Sequence, residues 1–275
     1  MIGGNGQKLV DVPQYHRRPG GAPANLAVAA SRLGSEVSMT ATVGKDHFGE
    51  LMFRKLENES VDTSGLRKID ENTTLAFVSV KQNAEPEFSF FRGADQKISE
   101  EQIKDDQETI HIGSLPLTHQ QSAKNILDTI KETDSQVSFD PNLRHELVDS
   151  EYLKTLEKVI NHTDILFAAE EEISELGGVE QLLKQVNEIV VTKGQAGAKV
   201  ITQNKTCSFE PPKVEVEDTT GAGDALAGAF LAFRKEGIET ALEKAVYAAS
   251  LSVREKGAMT ALPTHQELKS SMEDI

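Results

Sequence analysis

The run DTTGAGDALAG (218–228) places three small residues, Gly221, Ala222 and Gly223, directly before a carboxylate, Asp224. Without a Cβ, glycine lets backbone amides approach an anion closely and tolerates positive φ. If a helix starts here, its first amides have no intrahelical acceptor and its dipole favours negative charge, so the turn suits a phosphate. Asp224 then has two readings. It can cap its own helix by accepting from first-turn amides. It can also stand beside a bound phosphate and take the proton from a hydroxyl that attacks it, which is general-base work. Local chemistry leaves both open. Two other phosphate motifs are excluded, because Leu226 stands where G-x-G-x-x-G needs glycine and no G-x-x-x-x-G-K-[ST] occurs.

The elements around the turn follow from periodicity. A strand VEV (214–216) is expected before it, and the nearly all-apolar GDALAGAFLAFRKEG (223–237) reads as a buried helix after it. Further upstream, EVSMTATVG (36–44), ETIHIGS (108–114), QVSFD (136–140), DILFA (164–168) and NEIVVTKG (187–194) read as buried strands. Helical spacing marks NLAVAASRLG (25–34), HQQSAKNILDTIKE (119–132) and EYLKTLEKVI (151–160), with Gly34 as a C-cap. Strands alternating with helices predict a three-layer α/β fold with a mainly parallel sheet and ligands beyond the strand carboxyl ends. One stretch departs from that rhythm: NTTLAFVSVKQNAEPEFSFFRG (72–93) reads as a hairpin, with Thr74, Ala76, Val78 and Val80 on one face. VITQNKTCSFEPPKVEVED (200–218) adds short strands.

The whole chain, 1–275, is read as one domain, long enough to bury a large core. Its 29 basic and 44 acidic residues leave a net charge of −15, which argues against a nucleic-acid partner. Acidic runs such as Glu170-Glu171-Glu172 read as a solvated helix face. The lone Cys207 excludes an internal disulfide and fits a reducing cytoplasm. No apolar run suits a membrane span, and MIGGNGQKLVDV lacks signal-peptide character, so a soluble cytoplasmic protein is expected. The seven histidines lack metal-ligand spacing and no G-x-S-x-G occurs, which leaves zinc enzymes and serine hydrolases unsupported.

DTTGAGD (218–224) resembles the C-terminal signature of the ribokinase-like (PfkB) carbohydrate kinases, and GGAPANLAVAASRLG (20–34) resembles their N-terminal signature. VGKDHFG (43–49), HIGSLPL (111–117), FDPNLR (139–144), VTKGQAGA (191–198) and GAMTALPT (257–264) resemble family segments in the same order, and the wording is most like bacterial fructokinases. The resemblance implies an α/β/α ribokinase-like fold with a small β lid, its strands around 8–20 and 72–96. It also implies roles for named residues. Asp224 would be the base and the Gly221, Ala222 and Gly223 amides the anion hole. Gly20, Gly21, Asn25 and Arg92 would contact the sugar. Thr192, Gly194, Gly197, Asn142 and Arg144 would serve the nucleotide and its phosphates, and Glu172 the metal. ATP with Mg²⁺, K⁺ as a candidate activator, and a homodimer through the lid strands complete the expectation.

Three features differ from the family pattern. MIGGNGQKLVDV contains no apolar strand carrying a sugar-binding aspartate, with Asp11 the acid on offer. Ala169 replaces the asparagine of N-x-x-E, and Tyr247 stands where an asparagine is common, read here as core. The leading reading is ATP-dependent phosphorylation of a sugar's primary hydroxyl, fructose first. The alternatives are 2-keto-3-deoxygluconate, ribose or a nucleoside as acceptor, or a catalytically weak sugar- or nucleotide-binding relative.

Overall fold

β-Branched and apolar runs pair as strands, and the stretches between them, apolar on one side, cover the resulting sheet as helices. A computed structural model describes residues 1–5, 7–80, 86–104 and 106–273. Its strands are β1 (Ile2–Asn5), β2 (Ala41–Gly44), β3 (Leu66–Ile69), β4 (Leu75–Val80), β5 (Pro86–Phe91) and β6 (Thr109–Gly113). They continue with β7 (Gln136–Asp140), β8 (Ile165–Ala169), β9 (Glu188–Thr192), β10 (Ala198–Thr202) and β11 (Thr206–Phe209). The helices are α1 (Ala22–Arg32), α2 (His47–Asn58), α3 (Gln120–Glu132), α4 (Ser150–Ile160) and α5 (Glu170–Glu175). After these come α6 (Val179–Leu182), α7 (Ala222–Phe233), α8 (Ile238–Ser252) and α9 (His265–Glu273).

The central sheet has the order β11-β10-β9-β8-β7-β6. Its β6–β9 pairings are parallel, while β10 runs antiparallel to both neighbours. Alternating side chains send Leu166, Ile189 and Val191 to a core under α3 and α4, and Ile165, Phe167 and Val190 to a core under α7 and α8. The expected three layers are thus present. Tyr247 packs against the second core, as its reading predicted.

Helices α1 and α7 lie in close contact. A Cβ at Gly228 would come within 2.7 Å of the Leu26 carbonyl oxygen and 2.8 Å of the Ala29 side chain. This absence of a side chain is what lets the two signature segments meet.

The remaining strands form two smaller sheets. β2 and β3 pair in parallel, apart from the central sheet, and β4 and β5 form the expected hairpin with β1 added parallel to β4. The polar turn of the hairpin falls at 81–85, outside the described residues. The lid strand expected around 8–20 is shifted: the strand lies at Ile2–Asn5, while the later stretch carries a short 3₁₀ turn, Leu9–Asp11, and a bridge in which His16 pairs antiparallel with Ile2. That turn is tied to the lid by the Leu9 amide, which donates to Glu87 at 2.8 Å. Two further expectations fail. VEV (214–216) forms no strand, and the amides that follow it, of Glu217 and Asp218, donate instead to the Val253 carbonyl at 2.8 and 3.2 Å. Asp11 is exposed on the 3₁₀ turn, away from the cavity described next.

Candidate active site

A cavity of about 1600 Å³ opens beyond the carboxyl ends of the parallel strands and continues between β2 and β6. The last residues of three adjacent strands line it: Asp140 of β7, Ala169 of β8 and Thr192 of β9. The lid closes another side through Ala76, Val78, Phe88 and Phe90, which share one face by the register of β4 and β5.

The glycine turn opens α7. Gly221 is the N-cap, at φ +83°, and Asp224 is the third helical residue. Left-handed φ favours glycine, and here a Cβ would also meet Ala258 at 2.8 Å. Gly223 differs from expectation: its φ is not positive, and a Cβ there would meet nothing within 4 Å. The Ala222 amide already donates to the Thr219 carbonyl at 3.2 Å. The donors left free for an anion among the described residues are therefore the amides of Gly221, Gly223 and Asp224.

Asp224 does not cap its helix. Its Oδ2 accepts from Nδ2 of Asn25, on the first turn of α1, at 2.6 Å. Both side chains are buried. Burial pushes Asp224 up to about 6, against the opposing effects of the Asn25 hydrogen bond and the Arg144 charge. The other polar atom of Asn25, Oδ1, is buried without a partner, so an acceptor faces this corner of the site.

Asp140 is the residue that sequence reasoning passed over. It lies inside FDPNLR, whose asparagine and arginine draw the attention, and the signal that could have found it is a carboxylate ending a buried strand. Burial first, then the charges of Glu172 and Asp224, push it up to about 8, opposed by the Asn142 amide and Arg144. That amide donates to Asp140 Oδ1 at 3.0 Å, with Asn142 at φ +37°. Glu172 accepts from the Leu143 amide at 2.6 Å and the Ala169 amide at 2.8 Å, locking the loop after β7 to the start of α5. Among the described residues no group of three histidine, cysteine or acidic side chains could hold a metal by itself. Asp140 and Glu172 therefore fit a cation carried in by phosphates and water, as Mg²⁺ commonly is, rather than one the protein encloses.

The other expected residues divide. Gly20, Gly21, Asn25, Asn142, Arg144, Glu172 and Thr192 line the cavity. Gly194, Gly197 and Arg92 do not. Gly197 is held at φ +82° with the Phe209 carbonyl against its Cα, so it shapes the approach of β10 to β11. Arg92 is corrected as a sugar contact: its guanidinium is committed to Asp95 at 2.6 and 2.9 Å, Thr118 at 3.0 Å and the Leu115 carbonyl at 3.1 Å.

Residues 4–265 match the pfkB family carbohydrate kinase domain. The chain belongs to the pfkB family of carbohydrate kinases. It is 30% identical over 298 residues to fructokinase-1 of Oryza sativa subsp. japonica, covering 98% of this chain and 92% of that one. Fructokinase of Vibrio cholerae O395, solved with fructose, ADP and calcium, is 31% identical with a TM-score of 0.84, covering 98% of this chain and 95% of that chain. A double mutant of it was solved with fructose, ADP and potassium. An E. coli protein assigned as a ribokinase II, in complex with ATP and Mg²⁺, is 27% identical with a TM-score of 0.87, covering 100% and 98%. The pfkB fold is thus the ribokinase-like one that the motifs implied, and the chain is an ATP-dependent carbohydrate kinase. No helix among the described residues is long and apolar enough to cross a membrane.

Proposed function

We propose that this kinase phosphorylates the primary hydroxyl of fructose, with Asp224 as base and the amides of Gly221, Gly223 and Asp224 as the anion hole. The observation that carries the reading is the buried Asn25–Asp224 pair at the amino terminus of α7. It sets a carboxylate beside free amides, where a phosphate and a hydroxyl can meet. In the reaction, the hydroxyl proton passes to the Asp224 carboxylate as the sugar oxygen bonds to the γ-phosphorus. The bond from that phosphorus to the ADP oxygen breaks. Asn25 and the Gly20–Gly21 turn hold the sugar, and the unpartnered Asn25 Oδ1 accepts from one of its hydroxyls. Arg144 and Asn142 meet the phosphates, and Thr192 borders the nucleotide. Mg²⁺ arriving with ATP would supply charge neutralisation, and Asp140 and Glu172 would hold it through its water shell. Fructose and potassium rest on the ligands of the Vibrio relative, and Mg²⁺ on that of the E. coli one.

The pH profile tests the base. Because Asp224 is pushed up to about 6 and must be ionised to accept a proton, kcat/KM rises with pH through about 6 with the slope of one proton. Asn25→Ala removes a donor that holds this value down, so the inflection moves higher while the sugar KM rises more than that of ATP. An inflection unmoved by Asn25→Ala contradicts the pairing.

A homodimer through the lid belongs to the same proposal, supported by Val10 and Phe91 on the lid's outer side, 87% and 64% exposed. Sedimentation at twice the monomer mass, reduced to the monomer by Phe91→Ser, is expected. A wild-type monomer at micromolar concentration removes the dimer.

A further inference from the structure

The loop that carries Arg144 is met from above by the lid. β5 turns Phe88 and Phe90 toward the cavity, their rings stacked 5.7 Å apart and nearly parallel. The Arg144 guanidinium carbon lies 4.6 Å from the centre of the Phe88 ring. Among the described residues that guanidinium makes no hydrogen bond or ion pair, and the Phe88 ring lies within cation–π reach of it. A guanidinium held by a ring rather than by acceptors keeps its N–H donors free, and those donors suit a phosphate.

We infer that Phe88 is a positioning residue: its ring holds Arg144 over the transfer site, so that the lid's seating sets where the phosphate-binding charge stands. This rests on the reading of Arg144 as a phosphate contact. The attraction has the geometry of a cation–π pair, whose usual strength corresponds to about a two- to thirtyfold change in an equilibrium constant. The ring also shields one face of the cation from water, which strengthens its pull on any anion in the cavity. A merely space-filling Phe88 would instead be replaced equally well by any apolar side chain of similar size.

Three variants and two ligands separate these cases. Phe88→Leu keeps an apolar side chain and removes the ring face, and Phe88→Tyr restores it. With Phe88→Leu, calorimetric affinity for Mg²⁺–ATP is expected to fall about two- to thirtyfold, while affinity for adenosine, which has no phosphate, stays unchanged. Phe88→Tyr matches wild type on both ligands. In an Arg144→Ala background, Phe88→Leu produces no further loss. Thermal melts of each variant establish that the fold is kept. Equal losses for ATP and adenosine, or the same loss with Arg144 absent, overturn the inference. Because both ligands are read by binding, failure of sugar turnover would count against the proposed reaction and leave this test intact.

Discussion

Asp224→Asn is expected to lower turnover by about 10²–10⁴ while making the folded chain more stable at neutral pH. The two effects have one cause. Asp224 is buried, and its proton affinity is raised from 3.8 to about 6 in the folded state. A carboxyl with a raised folded value costs stability as pH climbs from its unfolded value to its folded one, and that cost is then constant above. About two units correspond to at most about 3 kcal/mol. Asparagine never ionises, so the variant gains this amount above pH 6 and nothing below about pH 4. Its amide can still pair with Asn25. Urea unfolding at pH 5 and pH 8, beside steady-state kinetics, checks both arms. A variant that loses activity because it is unstable would contradict the assignment, and so would one that keeps near-normal turnover.

The second large effect separates two neighbouring glycines. Gly221→Ala places a Cβ at φ +83° and 2.8 Å from the Ala258 side chain. It should cost about 1–3 kcal/mol of stability and shift the free amides, lowering kcat by about 10²–10³ as the loss of an anion-hole donor does. Gly223→Ala should do the reverse to stability. Its Cβ meets no protein atom within 4 Å and its φ is not positive, so alanine gains about 0.5–1 kcal/mol inside a helix. The same Cβ projects into the space a phosphate must occupy, so turnover still falls. Melting temperatures and kcat for both variants give the comparison. Gly223→Ala with full activity would mean that no anion is held at this turn.

Much of this arrangement was legible in the sequence because the relevant signals are local. The glycine turn, the helix it opens, and the strands of the central sheet each depend on a short run of residue types. What a residue touches across the fold was less legible. Arg92 reads as a sugar contact, yet Asp95 and the Leu115–Thr118 turn close around it. VEV alternates as a strand should, yet the residues after it bond to the Val253 carbonyl at the end of α8 rather than to a strand. Asp224 could be read as a helix cap until Asn25 arrived from 199 residues away. The N-terminal stretch was expected to add a lid strand around 8–20, and the strand that joins the lid is the earlier β1, which 8–20 meets through the Ile2–His16 bridge. Asp140 was hidden for a different reason. Its character comes from burial beside Glu172 and Asp224, neither of which is near it in the chain.

The most direct test of the central claim is phosphoryl transfer itself, followed by phosphorus NMR of the product with Mg²⁺–ATP and fructose, ribose, 2-keto-3-deoxygluconate or adenosine, with and without K⁺. The expected product is a phosphate ester on a primary hydroxyl of fructose, formed faster with K⁺ and slower by about 10²–10⁴ in Asp224→Asn. Turnover of fructose that survives intact in Asp224→Asn, or transfer to another acceptor with fructose untouched, would contradict it.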